Sequence, residues 1–384
     1  MTVKIHMHDL KTLVSFYLAL FCCTEVLAAI VPAAPQIDST AYLILDYNSG
    51  RMLVEKDIDK RLEPASLTKM MTTYVVTNEV NEGNIKMTDM VLISEKAWKM
   101  EGSRMFVEVN KEVSVEDLLK GVIIQSGNDA SVALAEHIAG TEEVFAEVMN
   151  QYAVKLGMTN THFTNSTGLP DPEHYTTARD LATLSVAMIR DHPDIYAWHS
   201  MKEFVFNGIT QPNRNLLLWR DESVDGIKTG HTETAGYCLA TSSVREGMRL
   251  VTVVMGSTSM ESRARGSVAL LNFAFRFFET HKLFSPGDMI TTSPVWKGET
   301  RTLNLGVSKE LWVTVPRGQY KRLKPVSEIE PEIIAPVSKN TVYGTVKIML
   351  DTEELASLPL EALDEIKEGG FFDKIKDEVR LFLQ

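Results

Sequence analysis

Ser66-Leu67-Thr68-Lys69, Ser126-Gly127-Asn128 and Lys228-Thr229-Gly230 follow one another in that order along this 384-residue chain. Between them they hold the parts of an acyl-transfer site: a hydroxyl nucleophile, two amines and a second hydroxyl to carry protons, and an amide to hold a substrate. A serine hydroxyl is a weak nucleophile at neutral pH and needs a base within hydrogen-bond reach. Positions i and i+3 of a helix share a face, so Lys69 sits one turn beyond Ser66 with its amine beside the hydroxyl. A lysine serves as a base only when neutral, far below its reference pKa of about 10.4. Burial lowers it, and so does a second cation, which Lys228 supplies if the motifs converge.

Each tripeptide alone has a plain structural meaning. Ser66 is a good helix N-cap, Ser126 to Asn128 reads as a glycine-containing loop with caps, and Lys228 to Gly230 as the exposed end of a hairpin. Their order and their settings make the functional reading the stronger one. Ser126 and Asn128 fall at a break between two apolar helical runs, where both side chains can enter a cleft. Lys228-Thr229-Gly230 ends a strand-like run. An edge strand there pairs with an extended peptide, Lys228 and Thr229 meet a carboxylate, and Gly230 permits close approach.

The elements that must carry these residues are legible in outline. Residues 41–55 alternate around Asn48-Ser49-Gly50 and predict a β-hairpin. Pro64 and Gly83 bracket a helix from Leu67 to Val80 that is apolar on almost every face, hence buried. Helices are expected over Val115 to Ile124, from Asp129 to the Gly140 stop, over Thr177 to Ile189 behind a capping box, and over Val268 to Phe284. Val224 to Thr229, Tyr237 to Ser242 and Leu250 to Met255 read as strands. Beyond Ser285-Pro286-Gly287 only short alternating runs occur, such as Leu311 to Val315 and Thr341 to Ile348. The pattern predicts an α+β first domain and a small all-β second one. In the last segment Phe371 or Phe372, Ile375, Val379 and Phe382 recur at helical spacing opposite charges. That is an amphipathic helix for a membrane surface or for the flank of the β-domain.

Composition narrows the function class. Hydrophobic content of 44% and charged content of 23% suit a soluble globular protein, and a formal charge of −12 speaks against nucleic acid as a partner. Lys4 and Lys11, an apolar run from Leu13 to Cys23 and Val26-Leu27-Ala28 make residues 1–28 a signal peptide cleaved near Ala28, so the protein is expected outside the cytoplasm. Cys22 and Cys23 leave with it, and the remaining Cys238 reads as a small buried hydrophobe. No spacing of His, Cys or carboxylates suggests a metal site, and no cofactor is expected.

With Pro64 to Met71, Leu119 to Asp129, Asp225 to Thr232, Asn213-Arg214-Asn215 and Thr177 to Asp180, the chain resembles the low-molecular-mass penicillin-binding proteins of serine peptidase family S11, the D-alanyl-D-alanine carboxypeptidases. The resemblance runs from about Ile37 to the C-terminus. It implies a penicillin-binding protein/β-lactamase-like domain with an antiparallel sheet flanked by helices (29–285), an all-β C-terminal domain (286–362) and a membrane-associating helix (363–384). It implies that Ser66 attacks the terminal D-Ala–D-Ala bond of peptidoglycan stem peptides, with Lys69 as base. Ser126 and Lys228 then shuttle protons, Asn128 binds the peptide, and the backbone N–H groups of Ser66 and His231 form the oxyanion hole. Thr229 and Arg214 hold the terminal carboxylate, and β-lactam antibiotics trap Ser66 as an acyl adduct. The expected location is periplasmic, peripherally on the inner membrane. Where some relatives carry His before the Gly-Leu that follows the second motif, this chain has Thr167. A class A β-lactamase instead carries a loop Glu followed four residues on by Asn; here Glu173 is followed by Thr177.

Overall fold

Alternate residues of the strand Ala41–Asp46 enter two different cores. Ala41, Leu43 and Leu45 pack under the helices, whereas Tyr42 and Ile44 pack against the helix Met260–Phe277 on the other face. A strand covered on both faces has period-two alternation but no polar side, which is why every residue of it is buried. The structure is a computed structural model that describes residues 31–382; the signal-peptide reading of residues 1–28 lies outside the described residues.

The sheet has five antiparallel strands in the order Met52–Lys56, Ala41–Asp46, Met248–Ser257, Gly236–Arg245, Val224–Thr232. The expected hairpin and three later strands are all present, and the strand carrying Lys228 is an edge, open to a partner. The helix Thr68–Asn81 has its first ten residues buried, as its all-round apolar surface requires. Cys238 lies in the same core, and burial pushes its thiol up to about 11, so it is chemically inert.

Two helix expectations need correction. The run from Val115 is α-helical only to Lys120, then widens into a π-helical turn, Gly121–Gln125, that ends on Ser126 in the left-handed region. The long helix expected to reach Phe284 stops at Phe277, and Phe278–Phe284 is a strand paired with Leu311–Pro316. Phe275 and Phe278 keep a three-residue spacing that looks helical, but the ladder to a segment thirty residues away decides the outcome. Apart from Leu311–Pro316, the strands after Phe284 form a six-stranded sheet around Leu303, Leu305, Val346, Ile348 and Leu360. This β-rich half is fastened to the hairpin of the first sheet by side chains. Asp46 accepts from Thr280 Oγ1 at 2.8 Å, and Arg51 Nη1 donates to Thr314 O at 2.7 Å.

The terminal helix is Phe371–Phe382. It touches the β-domain with its polar side: buried Asp377 accepts from Lys297 N–H at 2.8 Å and Arg301 Nη1 at 2.9 Å. Phe371, Phe372, Ile375 and Val379 face outward. Among the described residues, no helix is long and apolar enough to cross a membrane.

Candidate active site

Ser66 is presented by a tight turn, Ala65–Leu67, that leads directly into the buried helix. Ala65 is held at φ +47°, a conformation an L-residue adopts only under constraint. Two glycines supply the constraint. A Cβ on Gly168 would lie 1.8 Å from the Ala65 carbonyl oxygen, and one on Gly230 would lie 2.9 Å from the Pro64 oxygen and 3.1 Å from the Ser66 nitrogen. The nucleophile turn is therefore gripped between the 165–169 loop and the edge strand.

Lys69, one helical turn on, is wholly buried. Its Nζ donates to Ser66 Oγ at 3.1 Å, to Asn128 Oδ1 at 2.7 Å and to the Thr167 carbonyl at 2.6 Å. Burial lowers its pKa to about 7; Asp129 and Glu142 oppose the fall, and Arg214 adds to it. When Lys69 loses one proton, two N–H bonds stay fixed on Asn128 and Thr167, and the lone pair points at the Ser66 hydroxyl. That is the geometry of a general base.

Ser126, at φ +64°, turns its side chain towards the edge strand. Lys228 Nζ donates to Ser126 Oγ at 2.8 Å and to the Thr229 carbonyl at 3.1 Å. Burial depresses Lys228 well below the usual lysine range, and Lys69, Arg214 and Arg263 push it further down. The cation that acts on Lys69 is Arg214 rather than the Lys228 expected from the sequence. Lys228 is also given over to Ser126 and lies behind the cleft surface, which leaves Thr229 and Arg214 to meet an anion. Asn128 engages both ends of its amide with protein, Oδ1 on Lys69 and Nδ2 on the Glu101 carbonyl at 2.6 Å. Here it positions Lys69; a substrate amide would have to share Oδ1.

These groups border a cleft of about 570 Å³ lined by Ser66, Ser126, Arg214, Thr229, Gly230 and His231. Arg214 stands on its exposed wall, with Nε on the Gln125 carbonyl at 3.3 Å, and the His231 ring stacks on Tyr237 at 3.9 Å. Several members escape sequence reading. Arg263, on the helix Met260–Phe277, donates to the Gly230 and Cys238 carbonyls at 2.8 and 3.1 Å and so braces the edge strand from behind. The buried Asp129 carboxylate collects the backbone N–H groups of Met105, Phe106 and Val107. His174 Nδ1 accepts from Thr164 N–H at 3.1 Å, which leaves Nε2–H for Thr68 Oγ1 at 2.8 Å. Burial drops that ring's pKa to about 4. Only the position of Asp129 next to Ser126-Gly127-Asn128 hinted at any of this. Among the described residues no group of three or more His, Cys, Asp or Glu is placed to hold a metal ion.

Known proteins are similar to this chain in sequence and in fold. The family profile for D-alanyl-D-alanine carboxypeptidase matches residues 28–259, and that for the C-terminal domain of penicillin-binding protein 5 matches residues 278–368. The chain is 45% identical over 375 residues to the D-alanyl-D-alanine carboxypeptidase DacC of Escherichia coli, covering 96% of this chain and 94% of that one. The crystal structure of penicillin-binding protein 5 from Haemophilus influenzae superposes with a TM-score of 0.85 at 43% identity, covering 88% of this chain and all of that one. Penicillin-binding protein D2 from Listeria monocytogenes in its ampicillin-bound form matches at 27% identity and a TM-score of 0.59, over 64% of this chain and all of that one. With its profile match, its near full-length relatives and its fold in agreement, this chain belongs to the D-alanyl-D-alanine carboxypeptidase family, serine peptidase family S11.

Proposed function

We propose that this protein is a serine-type D-Ala-D-Ala carboxypeptidase that removes the terminal D-alanine from peptidoglycan pentapeptides and is acylated by β-lactams on Ser66. The observation that carries the reading is the buried Lys69 amine, lowered to about 7 and aimed at the Ser66 hydroxyl 3.1 Å away. Lys69 takes the hydroxyl proton as Ser66 Oγ attacks the penultimate D-alanine carbonyl. The developing oxyanion is received by the backbone N–H groups of Ser66 and His231, a role supported by how closely the edge strand passes Ser66 at Gly230. The substrate carboxylate settles beside Thr229 and Arg214. Its negative charge favours the protonated form of Lys228, which refills Ser126 as that hydroxyl protonates the departing amine. D-alanine leaves, and Lys69 passes its proton to the depleted Ser126–Lys228 pair. Neutral again, it takes a proton from the water that attacks the ester and then gives it to Ser66 Oγ as the shortened peptide is released.

A β-lactamase reading finds no support in the loop after the second motif. Glu173 is exposed at the surface, and Thr177 caps a helix by accepting from Asp180 N–H at 3.1 Å. A non-catalytic binder of cell-wall peptide would have no use for a lysine pushed to neutrality beside a serine. The test is mass spectrometry after benzylpenicillin together with D-alanine release from a synthetic pentapeptide. The expected result is an adduct on the peptide carrying Ser66 and loss of both signals in Ser66→Ala; D-alanine release that survives in Ser66→Ala overturns the assignment.

The same reading places the mature protein in the periplasm, with its terminal helix lying on the inner membrane. What supports this is the apolar row of Phe371, Phe372, Ile375 and Val379 left uncovered while the polar side is used up on the β-domain.

A further inference from the structure

Lys69 is oriented by a carbonyl, and a carbonyl points only as well as its peptide is held. The Thr167 carbonyl that accepts from Lys69 at 2.6 Å belongs to a loop preceded by Ser166, which is fully buried. Ser166 donates twice to one carboxylate oxygen: N–H to Glu142 Oε1 at 3.1 Å, and its hydroxyl to the same oxygen at 2.8 Å. Glu142 is itself buried and opens the helix Glu142–Leu156; its other oxygen lies 3.1 Å from the half-exposed Lys96 ammonium. Thr72, one turn beyond Lys69, donates to the Ser166 carbonyl at 2.7 Å, so the peptides on both sides of Ser166 are tied down. The next peptide, which bears the Thr167 carbonyl, donates its Gly168 N–H to Asn165 Oδ1 at 2.7 Å.

We propose that Glu142 and Ser166 form a clamp that holds the Thr167 carbonyl on Lys69 and thereby keeps the Lys69 lone pair aimed at Ser66. Glu142 touches no substrate in this scheme and is a positioning residue; the inference rests on the acylating role of Ser66 and Lys69 given above. Its charge acts as well as its hydrogen bonds. Lys69 is faced by Asp129 and Glu142 as anions, by Arg214 and Lys228 as cationic or latent cationic groups, and by His174 from the neighbouring loop. Glu142 raises the affinity of Lys69 for its proton, against the larger effect of burial.

Two substitutions separate the geometric part from the charge. Glu142→Gln keeps an oxygen for Ser166 and loses the charge, whereas Glu142→Ala loses both. The readout is the rate constant for Ser66 acylation by a fluorescent penicillin, measured from pH 5 to 9 at several drug concentrations. Glu142→Ala is expected to lower the limiting acylation rate ten- to a hundredfold, roughly the usual consequence of a misaimed catalytic group, with the drug's non-covalent binding constant little changed. Glu142→Gln is expected to recover most of the limiting rate and to move the acid limb to lower pH, since an anion that favoured protonated Lys69 is gone. Ser166→Ala is expected to fall between the two without moving the limb. Two results overturn the clamp: a Glu142→Gln protein as slow as Glu142→Ala with an unmoved limb, or a folded Glu142→Ala protein of undiminished rate. Thermal unfolding of each variant identifies a purely structural loss, which lowers the midpoint but leaves the pH limb in place. Failure of the wild-type protein to acylate at all would instead overturn the assignment of Ser66, so the two failures are told apart.

Discussion

Lys69 gathers most of the site's physics into one side chain. It has no solvent, three acceptors and a pKa brought down to about 7, so near neutrality it passes between a form that only donates and a form that also accepts. Acylation of Ser66 should therefore rise with pH through an apparent pKa near 7, as the fraction of neutral lysine grows. The expected curve loses roughly tenfold per unit well below about 7 and falls again on the alkaline side as Lys228 loses the proton that refills Ser126, measured with a penicillin that does not itself titrate in that range. Lys69→Arg removes the neutral form altogether, since a guanidinium does not deprotonate in proteins. We expect it to lower acylation by roughly 10²–10⁴-fold, the usual contribution of a general base, at every pH tested; a Lys69→Arg protein that keeps wild-type rates would remove Lys69 from the base role. Asn128, expected from its motif to hold substrate, is bonded to Lys69 as well, so Asn128→Ala should disturb the pH profile and not only the affinity for peptide.

At the scale of elements, the loop 165–169 and the edge strand matter more than their sequences suggest. Gly168 sits at φ +83° with the Ala65 carbonyl where a side chain would go. Gly168→Ala should therefore cost more than about 3 kcal/mol of folding stability, from overpacking plus left-handed strain. Urea unfolding measures it, and a loss under about 1 kcal/mol would mean the loop simply moves aside. Two buried rings make a second test. His174 and His199 are held neutral by burial, each with its pKa brought down to about 4. Below about pH 6.5 the unfolded chain takes up protons that the folded protein refuses. Stability should therefore fall as pH drops from about 6.5 towards about 4, by up to about 1 kcal/mol per pH unit for each ring, and a flat unfolding free energy between about pH 7 and 5 would contradict it. These features also mark how far the chain could be read. Ser66, Lys69, Ser126, Asn128 and Lys228 were legible because each short motif carries its chemistry in side chains on an element with a clear local pattern. Arg214 and His231 came only by resemblance. Thr167 and Gly168 act through a carbonyl and a missing side chain, and Glu142 reads locally as an ordinary first-turn acid after the Thr141 cap. The strand Phe278–Phe284 escapes a local reading because its partner lies elsewhere in the chain.

For the whole molecule, the question is what the terminal helix does with its exposed side. Four of its charges are paired: Lys374 with Glu368, Glu378 with Lys297, Asp377 with Arg301, and Arg380 with Asp377. The chain as a whole carries −12, so an anionic bilayer would repel rather than attract most of it. On the proposed membrane-surface reading, adsorption through this helix comes from apolar area, with Phe371 and Phe372 more than 70% exposed and Ile375 and Val379 about half exposed. That has a specific consequence. Binding to vesicles should be as strong on zwitterionic as on anionic lipid and nearly insensitive to salt between about 50 and 500 mM, unlike a polybasic anchor. Replacing Phe372 by Ser should cost about 2 kcal/mol of partition free energy, or roughly thirtyfold in the partition coefficient, while acylation of Ser66 in solution stays at the wild-type rate. Asp377→Ala acts differently, since it removes the acceptor that pins the helix to the 297–301 turn. It should leave vesicle binding intact and loosen the helix, seen as faster amide exchange across residues 371–382 in the absence of lipid. Co-sedimentation with both lipid types across that salt range decides the matter. Binding that depends steeply on anionic lipid, or that survives Phe372→Ser unchanged, would show that the apolar face is not the anchor.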